Sequence, residues 1–467
     1  MNEKIRGQNF IDRDKLYAMV EGSIPAESEI DVILNKAREL KGLGLAEVAA
    51  LLRVQDHAQI RRIMDAAHYV KEEIYGKRLV LFAPIYTGNT CINNCTYCAF
   101  RRDNKALKRT VLTMAQIEEE TRTLLKEGHK RVLLICGEDK IRSSTDYMCE
   151  AIRTTYAVRE GKDYIRRINV ELAPMPAADF ARLKAEKIGT YVCFQETYDP
   201  ELYKQYHPAG TAKSDYLYRL SVMDRAMEGG IDDVGLGVLF GLADYRFEVL
   251  ALMEHAAHLE EAFGCGPHTI SFPRIEPAEG APLPDHIPYK VSDEDFKKII
   301  AIIRIALPYT GIILSTRESD EMRTELFSYG VSQISAGSRT NPGAYSDEGS
   351  QAGSQFALGD HRSLDEVISS VVDNGYIPSF CTGCYRKGRV GHDFMDLAKP
   401  GLIKEFCMPN ALFTFREYLD DFASPETKSK GLALIQKMLL DVQKPELKKK
   451  MSETLDDIAG GKRDLYF

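Results

Sequence analysis

The feature that most constrains this chain is a unit recurring through its middle: an amphipathic helix, a glycine, then a short apolar run. The helix after Thr113 reaches Gly128 and leads into RVLLIC at 131–136. A helix before Gly189 leads into 190–197, Gly229-Gly230 into 232–239, and Gly264 with Gly266 into 268–276. The helix after Ser292 runs to Pro308 and the segment 310–318, and Gly330 leads into 331–338. Runs at 79–86 and 168–173 bring the number to eight. They are apolar through their length, as strands covered on both faces are. Parallel strands need helical crossovers, so eight such units predict an α/β fold, a (βα)8 TIM-type barrel. An open doubly wound sheet has the same periodicity.

The flanks have another texture. Ser28 with Asp31 reads as a capping box, ahead of Ile30, Ile33, Leu34, Ala37 and Leu40 at helical spacing; Ile60, Ile63, Met64, Ala67 and Ile74 form a second such face. Residues 1–78 are therefore expected to be a helical extension and 79–340 the barrel. After Arg339 the sequence becomes loop-like (RTNPGAYSDEGSQAGSQ), and 341–467 is expected to be a mostly helical domain carrying a cysteine loop. A net charge of −8 lacks the electrostatic footprint of a nucleic-acid binder. No apolar run approaches the roughly 20 residues that span a bilayer. The polar, mixed-charge start is unlike a secretory signal. The expectation is a cytoplasmic protein with neither nucleic acid nor membrane as partner.

Ten cysteines in such a chain point to metal or catalysis rather than to disulfides. Cys91, Cys95 and Cys98, with three and then two residues between, lie on the loop after the first strand. That is the edge where parallel α/β folds build sites. Structural zinc closes with four ligands and an ordinary 4Fe–4S cluster takes four cysteines; three leave one iron open. Glu138, Glu171, Gln195, Glu196, Arg274, Glu276, Arg317 and Ser338 end the predicted strands at the same edge.

C-x3-C-x2-C with Tyr97 before the last cysteine resembles the signature of the radical S-adenosylmethionine (SAM) superfamily. The resemblance implies a 4Fe–4S cluster on Cys91, Cys95 and Cys98 whose open iron binds SAM. One electron then cleaves SAM to methionine and a 5′-deoxyadenosyl radical. Cys136-Gly137-Glu138 resembles the family's GGE motif for the SAM amino group, with cysteine for the first glycine. GVLFGLAD (237–244) resembles its G-x-I-x-G-x-x-E motif through Gly237 and Gly241, ending in Asp244 rather than glutamate. Tyr97, Glu171 and Arg274 are further implied SAM contacts.

A second trio follows: Cys381 and Cys384 as C-x2-C, then Cys407 after 22 more residues. Spacing alone leaves three readings open. They are a second cluster with an open iron, a zinc site completed by His392, and a redox dithiol with an unrelated Cys407. A radical SAM barrel followed by this trio, with CTGCYRKGR and GPHTISFPR (266–274), resembles the HydG family of iron-only hydrogenase maturases over essentially the whole chain. That resemblance implies cleavage of L-tyrosine to p-cresol and dehydroglycine, and then CO and cyanide formed at the second cluster. It also implies a fifth iron there, bridged by free cysteine and helped by His268. Arg317, with Ser319 and Ser338, is implied to hold the substrate carboxylate, and Gln195 and Glu196 to line the substrate site. Implied partners are an electron donor such as ferredoxin or flavodoxin and other hydrogenase maturation proteins. Read from the residues alone, His268 opens a strand, the wrong edge for a barrel active site, and suits a core histidine. Cys136, Cys149, Cys193 and Cys265 read as inert buried thiols. Two rival readings stand beside this one: a ThiH-like tyrosine lyase for thiamine synthesis, without the second cluster, and an iron–sulfur scaffold without turnover.

Overall fold

The computed structural model describes residues 8–346, 353–391, 393 and 404–467. Eight parallel strands form its centre: β1 (Arg78–Gly88), β2 (Arg131–Cys136), β3 (Arg167–Glu171), β4 (Thr190–Glu196), β5 (Asp233–Val238), β6 (Thr269–Ser271), β7 (Gly311–Leu314) and β8 (Gln333–Ser335). Each pairs with the next, and β1 pairs with both β8 and β2. The sheet is a closed barrel, and the open-sheet alternative falls. β6 ends well before residue 276 because Pro273 cannot donate to a ladder. The glycine punctuation has a direct cause at two helix ends. Gly128 (φ 101°) and Gly264 (φ 75°) close the helices Met114–Glu127 and Tyr245–Phe263 in the left-handed conformation.

Four N-terminal helices wrap one side: α1 (Arg13–Val20), α2 (Glu27–Ala37), α3 (Leu45–Leu52) and α4 (His57–Tyr75). Helix α4 buries Ile60, Ile63, Ala67, Val70 and Ile74 against the barrel helix Asp293–Ala306, while α1 and α3 pack on Tyr245–Phe263. Ser28 is not a cap; α2 begins at Glu27 behind Ala26, which has no capping side chain.

After β8 come the helix Leu364–Asp373 and a ninth strand, β9 (Ile377–Ser379), which lies parallel to β1 against Arg78–Val80. That register puts β9 at the N-terminal end of the barrel. The helix Lys404–Asp421 packs on β9 and β1, and the helices Pro425–Leu440 and Pro445–Ala459 pack on it in turn. The chain after the barrel therefore doubles back beneath it. Among the described residues no helix is long and apolar enough to cross a membrane.

Candidate metal centres at the two mouths of the barrel

The first cysteine loop leaves the C-terminal end of β1. Asn89 staples it: its side chain donates to Lys108 O at 2.9 Å and accepts from Thr110 N at 2.7 Å. Arg109 donates to Asn89 O and Phe100 O, both at 2.8 Å. Cys95 is buried, and Cys91 and Cys98 are half-buried. Burial, with Cys95 and Cys91 nearby, pushes the Cys98 thiol up to about 12. Gly137 abuts the loop so closely that a Cβ there would stand 2.3 Å from Thr90 O and 3.2 Å from the Cys91 Cβ. Only glycine fits, and its N–H donates to Gly88 O at 3.0 Å. Glu138 accepts from Asn93 Nδ2 and lines a groove with Cys136 and Gly137.

Beneath the loop, inside the barrel, lies a cavity of about 120 Å³ whose lining includes Tyr86, Tyr97, Cys98, Glu171, Glu196, Arg317 and Ser338. Tyr97 donates to His207 Nε2 at 2.8 Å, since His207 Nδ1 is committed to Tyr203 O. Glu196 pairs with Lys213 and is 3.7 Å from Arg219. Burial holds the Glu171 carboxyl up at about 7, and the Glu196 charge adds to this. Arg317 has no ion pair with a described carboxylate. Its guanidinium lies 3.5 Å from the centre of the Phe356 ring, and burial lowers its pKa. Its chain neighbour Glu318 is taken by Arg274.

Other expected site residues are placed differently. Arg274 is held by Glu318 and Asp293 and is not part of the cavity lining. Ser319 caps the helix Asp320–Leu326, accepting from Met322 N at 3.3 Å. Gln195 is buried with its Nε2 unpartnered, outside that lining. Gly237 packs against the Phe194 ring, and Gly241 (φ 118°) against Ile275 and Ile287. Asp244 caps the helix Tyr245–Phe263. Lys213 and Arg219, which set the charge on Glu196, carried no motif.

The second trio gathers at the opposite mouth. Cys381, Cys384 and Cys407 line a chamber of about 60 Å³ together with Arg78, Arg131 and His268. The turn after β9 presents the first two: Gly383 N donates to Cys381 Sγ at 3.3 Å and Arg131 to Cys381 O at 2.6 Å. Cys407 comes from the helix Lys404–Asp421. The Cys384 thiol donates to it, holding Cys407 low and itself high; Arg78 and Arg389 lower Cys407 further. His268 stands between Asp233, 3.5 Å from its Nδ1, and the Tyr385 hydroxyl, 3.0 Å from its Nε2. Burial lowers its pKa. The start of a strand is thus a chamber wall here, because the C-terminal chain closes that mouth. Cys265 is buried and packs against Cys407. His392 lies outside the described residues. Among the described residues no three His, Cys, Asp or Glu side chains are gathered around a single-ion site.

Comparison with known proteins agrees with this geometry. The radical SAM superfamily model matches residues 85–256, and the Biotin and Thiamin Synthesis associated domain matches 271–377. A crystal structure of HydG, a maturase of the [FeFe]-hydrogenase, superposes with a TM-score of 0.95 at 46% identity, covering 98% of this chain and 100% of that one. HydG from Carboxydothermus hydrogenoformans gives 0.82 at 42% identity, covering 95% and 97%. The 2-iminoacetate synthase of Salmonella typhimurium is 28% identical over 79% of this chain and 96% of its own. Identity above 40% extends over nearly the full length of both HydG chains, and the chain belongs to the HydG family of the radical SAM superfamily.

Proposed function

We propose that this chain is a radical SAM tyrosine lyase serving [FeFe]-hydrogenase active-site assembly: it cleaves L-tyrosine to p-cresol and dehydroglycine at the upper mouth and forms CO and cyanide at the lower. The observation that carries this reading is the row of inward-facing residues on β1. Val80 lines the lower chamber, and Phe82, Pro84 and Tyr86 line the upper cavity. Alternate residues of a strand share one face and stand about 7 Å apart. The two sites therefore lie a short way apart along the inside of one strand.

The residues fit the groups this requires. Cys91, Cys95 and Cys98 suit one 4Fe–4S cluster, each thiolate serving a separate iron, and the cradle at Gly137 leaves backbone room beside it. When bound there, cluster and SAM supply a 5′-deoxyadenosyl radical on addition of one electron. The chain supplies the rest. Arg317, without a described carboxylate partner and steadied by Phe356, presents two parallel N–H donors to the tyrosine carboxylate. Ser338, buried with its Oγ unpartnered, adds a donor beside it. Glu171 and the Lys213–Glu196 pair set the polarity of the wall, with Gln195 behind it. Enclosure excludes water from the radical.

Below, Cys381, Cys384 and Cys407 suit a second 4Fe–4S cluster. His268, kept neutral by burial and oriented by Asp233, is in the form that binds iron and would help hold a fifth iron there, with free cysteine as a further ligand. Arg78 and Arg131 add positive charge for carboxylate-bearing fragments. In this reading residues 1–78 brace the barrel, 79–340 carry the first centre and 341–467 the second, and ferredoxin or flavodoxin supplies the electron.

The test is anaerobic turnover of the reconstituted chain with SAM, dithionite, L-tyrosine and cysteine. p-Cresol, CO and cyanide together are expected. The likeness to 2-iminoacetate synthase favours a second reading, a tyrosine lyase for thiamine synthesis; p-cresol without CO or cyanide would select it. Absence of SAM cleavage would select the scaffold.

A further inference from the structure

The first cysteine loop is shaped by its own neighbours, yet one side chain reaches it from 257 residues along the chain. Gln355 ends the loop-like stretch that follows Arg339 and belongs to a strap across the C-terminal mouth. Main-chain bonds pin the strap to three parts of the barrel. Gln355 N donates to Thr340 O at 2.9 Å, Ala99 N to Gln355 O at 3.3 Å and Ala357 N to Pro277 O at 2.8 Å. The Gln355 side chain is thereby carried into the wall of the inner cavity. Its Nε2 donates to Cys98 Sγ at 3.7 Å, and its Oε1 accepts from the Tyr86 hydroxyl at 2.8 Å. Tyr86 is itself buried on β1 and stands edge-on to Phe100. The amide is therefore held at both ends, by a cavity wall and by one of the three cysteines.

We infer that Gln355 is a positioning residue for the centre on Cys91, Cys95 and Cys98: its amide, aimed by Tyr86, donates to the Cys98 thiolate and makes the centre easier to reduce. The inference rests on the first-cluster reading proposed above. A metal-bound thiolate offers lone pairs and no proton, so the amide must turn its N–H toward the sulfur. Its oxygen is then left to accept from Tyr86, and the 2.8 Å contact satisfies it. The reduced centre carries one more negative charge than the oxidised one. A donor aimed at the sulfur stabilises the more negative state more, which raises the potential. An enclosed wall leaves that difference little screened by water. The Phe100 N–H is a second donor to the same sulfur, but it is main chain; Gln355 is the donor that a substitution removes. The next residue of the strap, Phe356, lies against Arg317, whose guanidinium is 3.5 Å from the ring centre. Two adjacent residues thus touch a cysteine of the centre and the proposed carboxylate-binding arginine. The electron itself comes from an external one-electron reductant, and Gln355 gains and loses no atom.

The experiment makes Gln355→Leu, which keeps much of the bulk and removes the donor, in the full reconstituted chain. Potentials of both centres are read by redox titration followed by electron paramagnetic resonance, the upper one assigned as the signal that Cys95→Ala removes. Expected is a fall of about tenfold in the reduction equilibrium of the upper centre, about 59 mV for one electron, with the lower centre unmoved. Tyr86→Phe, which leaves the amide in place but releases its other end, is expected to give a smaller fall. In wild type labelled with side-chain 15N-glutamine, the reduced upper centre should show a 15N hyperfine coupling that Gln355→Leu lacks. A wild-type potential in Gln355→Leu, or the same 15N coupling, overturns the inference. Should Gln355→Leu take up no upper cluster, Tyr86→Phe decides: a lowered potential upholds the inference and an unchanged one sinks it. A wild type that takes up no cluster on the first trio removes the reading underneath, and the inference falls with it. A wild type with the cluster, and variants at its potential, leaves that reading standing and sinks the inference alone.

Discussion

At the C-terminal mouth of the barrel, three cysteines sit on one loop fixed by its own neighbours, Asn89 and Arg109. At the N-terminal mouth, three cysteines come from the turn after β9 and from the helix Lys404–Asp421, and meet His268 from the barrel itself. The first site is local; the second exists only when the C-terminal helices dock. Their charge differs as well. Carboxylates and cations balance above, through Glu171, Glu196, Lys213 and Arg317, whereas arginines dominate below. In the proposed reading the contrast would let one barrel separate two chemistries: one end is a preformed pocket, the other a seam closed by later chain.

The largest expected effect breaks the upper site alone. Cys95→Ala should reduce SAM cleavage and p-cresol to background, while leaving the lower cluster's spectroscopic signal after reconstitution. Loss of both signals would mean that the two ends do not assemble independently. Arg317→Ala comes next. Removing one partner of a buried, hydrogen-bonded charge pair costs about 2–5 kcal/mol, so kcat/KM for tyrosine should fall by about 30-fold or more, mainly through KM. SAM cleavage without tyrosine should not change.

A smaller effect sharpens the electrostatic contrast. Burial keeps the Glu171 pKa at about 7, above its ordinary 4.5. Between those values the folded chain holds a proton that the unfolded chain has lost, so stability falls as pH rises through the window. The slope is on the order of 1 kcal/mol per pH unit at its steepest. Glu171→Gln should flatten that part of the curve, read from denaturant midpoints between pH 5 and 7. Smallest is Ser319→Ala, which removes a helix cap and should cost about 1 kcal/mol of stability with KM for tyrosine unchanged. A raised KM would return Ser319 to the substrate site.

What the sequence made legible follows the same divide. Eight strands could be read because their apolar runs are continuous and a glycine stands between helix and strand in most of the units. The first trio could be read because its spacing is short. The surroundings of the second could not, because they depend on the C-terminal chain turning under the barrel. His268 was therefore expected, from the residues alone, at an edge without a site. One signal was available: β1, β2 and β3 open with Arg78, Arg131 and Arg167. Three arginines in a row at one barrel mouth need anionic company. Arg274 misled because its place at the end of a strand says nothing about Glu318, 44 residues on, which holds it.

The central claim is that the two mouths perform separable steps. Its most direct test is turnover of the Cys384→Ala/Cys407→Ala double variant, with p-cresol, CO and cyanide measured in one reaction. The account predicts p-cresol near the wild-type rate with CO and cyanide lost. CO and cyanide persisting, or p-cresol vanishing while the upper cluster's signal remains intact, would contradict it.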